Sequence, residues 1–97
     1  MTNEIDCIDF CRVLADPTRQ KMLELLLHKE RSVSEIVEEF QLSQPTISHH
    51  LEMLSRYGLL TSRKEGKQVF YTTDQSQVTW CCGRLMAKFS QPEQRES

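Results

Sequence analysis

Ser43-Gln44-Pro45-Thr46-Ile47-Ser48-His49-His50-Leu51-Glu52-Met53-Leu54-Ser55-Arg56-Tyr57 is the stretch on which the reading of this chain turns. Ser43 suits a helix N-cap, because its hydroxyl accepts from first-turn amides that have no helical acceptor. Pro45 is tolerated in that turn for the same reason. Ile47, Leu51 and Leu54 recur at i, i+4 and i+7 and make one apolar stripe, leaving Gln44, Thr46, Ser48, His49 and Glu52 off it. A merely solvated face favours Lys and Glu. Short amide, hydroxyl and imidazole groups instead suit hydrogen bonding to base edges or phosphates in a major groove. The spacing therefore predicts a DNA recognition helix.

The preceding residues agree. Ser34-Glu35-Ile36-Val37-Glu38-Glu39-Phe40 is a short amphipathic helix, and Gln41-Leu42-Ser43 is a connector of the length that joins two helices at a steep angle, a helix-turn-helix. After the recognition helix, Gly58 suits a left-handed helix stop. Leu59 to Lys64 and Lys67 to Thr73 are rich in β-branched and aromatic residues and read as a hairpin turning at Glu65-Gly66. Arg63, Lys64 and Lys67 bracket its tip and are placed to hold phosphates or enter a minor groove.

Upstream, Ile5 to Leu14 reads as a helix that is apolar nearly all round, which requires cover on several sides. Asp16 caps a second helix, with Pro17 at its first position and Met22, Leu23, Leu26 and Leu27 facing inward, ending near Lys29. Arg31-Ser32-Val33 reads as an extended link. Asp74 caps a last helix, whose Val78, Cys81, Cys82, Leu85, Met86 and Phe89 form a wide apolar stripe, with Trp80 beside it. The tail from residue 92 reads as polar and flexible, leaving residues 1–91 as one domain.

Leu14-Ala15-Asp16-Pro17-Thr18-Arg19, then Ser43 to Leu51, then the basic hairpin, resemble the ArsR/SmtB (arsenic-repressor) family of small metal-sensing repressors over nearly the whole chain. The resemblance implies a mainly α winged helix-turn-helix of four helices, a β-hairpin wing and a fifth helix, paired into a homodimer through the first and last helices. It also implies a transcriptional repressor, with no catalysis, on an inverted-repeat double-stranded DNA operator. Gln44, Thr46, Ser48 and His49 would read or position the recognition helix that Ser43 opens, while Arg63, Lys64 and Lys67 hold the backbone. A net charge of −2 looks wrong for a DNA binder, but it divides into −4 over residues 1–42, +2 over 43–73 and zero over 74–97. Positive charge collects where the helix and wing lie.

Two effector sites that the resemblance implies are missing. Ser32 and Ser34 stand where some members carry a thiolate pair, and from Gln75 to Pro92 there is no His, Asp or Glu, leaving Asp74 alone. The cysteines remain. Cys7 and Cys11 are i, i+4 on one helix, with Cβ atoms ~6 Å apart, and Cys81 and Cys82 lie on the other outer helix. Together they suit a soft metal or metalloid such as arsenite, cadmium or lead, or a redox or persulfide switch, or four small core hydrophobes. A winged helix that binds protein instead of DNA is the rival reading. A cysteine enzyme is disfavoured, since no His or acidic partner stands near any cysteine in a pocket-forming context and so small a domain offers little room for a cleft. The chain has no apolar run of membrane-spanning length and no basic-then-apolar leader, so the expectation is a cytoplasmic protein with no membrane partner.

Overall fold

The computed structural model describes residues 5–90; the polar tail beyond lies outside them. The order is α1 (Cys7–Leu14), α2 (Pro17–His28), β1 (Arg31–Ser32), α3 (Val33–Phe40), α4 (Gln44–Arg56), β2 (Leu60–Glu65), β3 (Gln68–Thr73) and α5 (Gln75–Lys88). The three strands form an antiparallel sheet in the order β1-β3-β2. The expected winged helix-turn-helix, with four helices, a hairpin and a fifth helix, is what the chain adopts.

Helix starts follow from side-chain oxygens. Asp6, Asp16, Ser32, Ser43 and Asp74 each accept from an amide of the first turn they precede. The first helix begins two residues later than Ile5, because Asp6 caps it; Ile5 is nonetheless buried. Val33 belongs to α3 and not to the extended link. Ser32 and Glu35 form a reciprocal capping box: Glu35 N donates to the Ser32 hydroxyl, and Ser32 N donates to the Glu35 carboxylate at 2.9 Å.

The end of α4 sets the hairpin's position. Gly58 has φ +75°. Its N–H donates to Ser55 O at 2.9 Å, and Leu59 N donates to Leu54 O at 3.0 Å, the paired bonds of a Schellman motif. Leu54 and Leu59, the two residues this motif brings together, are both fully buried. The hairpin turn falls at Gly66-Lys67 instead of the expected Glu65-Gly66, with Glu65 opposite Gln68. Positive φ is needed at the first central position of such a turn, and Gly66, at +63°, supplies it where glutamate would be strained.

The core joins α1 (Phe10, Val13), α2 (Met22, Leu23, Leu26), α3 (Ile36), α4 (Ile47, Leu51, Leu54), the hairpin base (Leu59, Leu60) and Cys81 of α5. The Thr73 hydroxyl, itself buried, donates to Leu23 O at 2.8 Å and so fastens the base of the wing to α2. Arg19 of α2 donates from Nε to Val13 O at 2.8 Å and from Nη2 to Arg12 O at 3.3 Å, capping carbonyls at the end of α1.

Candidate nucleic-acid interface

In α4 the apolar stripe is sealed: Ile47, Leu51 and Leu54 are 0%, 2% and 0% exposed. Gln44, Thr46, Ser48, His49 and Glu52 are all exposed, as the spacing predicts. Thr46 N donates to the Ser43 hydroxyl, and the Ser43 and Thr46 hydroxyls are 2.9 Å apart, so the reading end of the helix is locally ordered. The connector before it closes with Gln41 in the left-handed region (φ +56°), its N–H donating to Val37 O at 2.8 Å.

His50 turns away from this face. It is half-buried, with Nδ1 3.5 Å from Arg19 Nη1. Burial pushes its pKa below the usual histidine value; Asp16 opposes that, while Arg19 and His49 add to it. His50 packs against Arg19 beneath the exposed row.

Lys67 lies beside the recognition helix, sharing a hollow of about 280 Å³ with Ser32, Ser34 and Gln44. Lys64 is exposed on β2. Arg63 does not stand free at the wing tip. It is bound to Glu30 and Glu65 and covers the Phe70 ring. No local pattern signals this, because Glu30 lies 33 residues away, next to a segment that reads as a link.

The cysteines divide by depth. Cys7 and Cys81 are buried where α1 packs on α5, and Cys11 and Cys82 are exposed; all four are free thiols. Burial raises the pKa of Cys81, and Cys82 and Cys7 are close enough to raise it further. Among the described residues no three His, Cys, Asp or Glu side chains are grouped to hold a metal ion. Ser32 and Ser34 serve the α3 cap, with hydroxyls 3.4 Å apart, and Asp74 caps α5.

Ile8 (63% exposed), Met86 (65%) and Phe89 (81%) leave α1 and α5 with apolar surface facing outward. Trp80, on the other flank of α5, carries Arg84 over its ring at 4.9 Å. Among the described residues no helix is long and apolar enough to cross a membrane.

Residues 16–62 match the family described as bacterial regulatory protein, arsR family. A probable mercury resistance operon repressor of Streptomyces lividans is 42% identical over 69 residues, 71% of this chain and 55% of that protein. The chain thus spans just over half the length of that relative. The transcriptional repressor SdpR of Bacillus subtilis is 32% identical over 73 residues, 71% of this chain and 81% of the repressor. The transcriptional activator HlyU of Vibrio cholerae is 37% identical over 76 residues, 78% of this chain and 70% of its own length. A solved HlyU structure superposes with a TM-score of 0.68 at 32% identity, covering 84% of this chain and 88% of that one. Such proteins regulate transcription by binding DNA and are not enzymes. The chain belongs to the arsR family of bacterial regulatory proteins.

Proposed function

We propose that this chain is a homodimeric transcriptional repressor that sets two copies of α4 into successive major grooves of an inverted-repeat operator. The observation that carries this reading is the sealed apolar stripe of α4 beneath an exposed row of Gln44, Thr46, Ser48 and His49, with Lys67 alongside. Pairing through α1 and α5 is supported by the outward Ile8, Met86 and Phe89, which gain most from cover by a second copy. Two of the three relatives above are named repressors, which favours repression over activation.

The effector is sensed at the thiols of the same two helices. Cys11 and Cys82 lie on the exposed side and Cys7 and Cys81 just beneath, so a multi-thiolate site for a soft ion is completed only when two subunits meet. The mercury repressor among the relatives is consistent with soft-ion chemistry. The buried neighbours Cys7 and Cys81 favour a second reading, oxidation to a disulfide or polysulfide. A coupling of ~1–3 kcal/mol between the effector and DNA would weaken operator binding ~5- to 150-fold.

Selection of duplexes from random oligonucleotides, followed by a salt titration, tests the DNA reading. A palindrome with steep counterion release is expected. Salt-insensitive capture, or no palindrome, would assign the α4 face to a protein partner instead. For the effector, the Cys7→Ser/Cys11→Ser double variant should bind operator normally yet no longer let go when given arsenite, cadmium, lead or peroxide. Normal release by that variant rules the site out.

A further inference from the structure

Arg63 is the most heavily engaged side chain of the wing. Its Nε meets Glu30 Oε2 at 2.7 Å, its Nη2 meets Glu30 Oε1 at 2.9 Å, and its Nη1 meets Glu65 Oε1 at 3.1 Å. The guanidinium carbon sits 4.7 Å over the Phe70 ring. All three nitrogens are used in the plane and one flat face is covered. The sheet register explains the reach. Phe70 of the central strand β3 lies opposite Arg63 on one side and Ser32 on the other, and Glu30 is two residues before Ser32. The bond therefore straps the outer strand β2, across β3, to the segment between α2 and β1.

We propose that Glu30 is a positioning residue for DNA binding. Through its two-pronged bond to Arg63 it holds the wing at a fixed angle to α4, and the wing's phosphate contacts come from Lys64 and Lys67. The inference rests on the DNA-binding reading above.

Charge and geometry both argue against Arg63 as a phosphate contact. With two carboxylates on one guanidinium the triad carries −1, so an approaching phosphate meets net repulsion and must displace a bidentate partner. Lys64 and Lys67 are exposed and, among the described residues, take part in no ion pair, and Lys67 lines the same hollow as Gln44 at the start of α4. The strap is exposed, so its effect on affinity is modest. What it fixes is where the lysines point.

The test is operator binding by the full chain across a KCl series, with circular dichroism confirming folding of each variant. Glu30→Ala, Arg63→Ala and Arg63→Lys should each weaken binding roughly two- to fivefold while leaving the slope of log affinity against log salt unchanged. Lysine fails to rescue because one ammonium cannot make the two-pronged bond. Lys64→Ala and Lys67→Ala should each lower that slope by ~0.9 for every phosphate no longer neutralised. A shallower slope for Arg63→Ala, a tighter and steeper Glu30→Ala, or full rescue by Arg63→Lys would overturn the proposal.

An NMR titration reads the strap without DNA. The hydrogen bonds from Arg63 hold the Glu30 carboxyl below its ordinary range in the wild type, and Arg63→Ala should return it there. A Glu30 that titrates identically in both proteins also overturns the proposal. If the wild type binds no DNA at all, the functional reading fails, and the titration still reports separately on the strap.

Discussion

Arg19 touches three helices through one guanidinium, and replacing it by methionine should unfasten them without opening a large void. The methionine keeps an apolar stem but has no donor. It leaves Val13 O without its 2.8 Å partner, removes one of the two donors to Arg12 O, where Ala15 N still donates, and removes the 3.7 Å pairing with Asp16. Only 12% of the arginine side chain is exposed, so water replaces the part-buried bond to Val13 O poorly, and the exposed bond to Arg12 O counts for less. A hydrogen bond from a charged donor contributes ~1.5–3 kcal/mol net. Counting the short bond fully and the long one at half or less gives a loss of about 2–4 kcal/mol. Against a stability of roughly 5–15 kcal/mol for a domain of this size, that is a large fraction. In urea, with a slope of ~1.5 kcal/mol per molar, the midpoint should fall by ~1.3–2.7 M at fixed protein concentration. Arg19→Lys should recover only part of this. A fall below ~0.3 M, or complete recovery with lysine, would refute the assignment of Arg19 as the cap of α1. A second signature is independent of stability: Arg19 helps hold the His50 pKa down, so Arg19→Met should raise it, and ring-proton shifts would show that directly.

Other consequences follow from the same structure. His50 titrates below 6.5 in the folded chain and near 6.5 unfolded, so its contribution to stability is complete above that pH and is lost as pH falls toward its folded value. Urea midpoints measured from pH 8 to pH 5 should drop in the wild type and drop less in His50→Gln. Leu54→Ala removes a fully buried side chain under the recognition helix and should cost ~2–5 kcal/mol, read by the same unfolding assay. On the proposed pairing through α1 and α5, Met86→Glu or Phe89→Glu, each on a mostly exposed residue, should fold but sediment as single copies while the wild type sediments as a dimer; pairing that persists in both would exclude the α5 face.

Much of the architecture was legible because local chemistry and the long-range fold agree. Ser43, Asp16 and Asp74 mark helix starts by their own hydrogen bonds, and the 47-51-54 stripe names the buried side of α4. The misread boundaries were also local. The Ser32-to-Glu35 capping box was present in the letters and would have moved Val33 into α3. At the wing, the demand for positive φ belongs to the first central turn residue, which places Gly66 there and shifts the turn by one. What no local pattern could show was pairing across the sheet. Nothing about Glu30 marks it as the partner of Arg63, because strand order, and not sequence distance, brings them together. The cysteines lie between these cases. Their helices were readable, but periodicity gives a direction around a helix and not the depth that separates Cys7 and Cys81 from Cys11 and Cys82.

That difference in depth makes the chain carry its own footprinting reagents. Alkylation should label two sulfurs quickly and two slowly on an isolated protomer. As protomer concentration rises, shielding of the fast pair would trace self-association with no added dye or tag, while the slow pair keeps time for local opening of the α1–α5 contact.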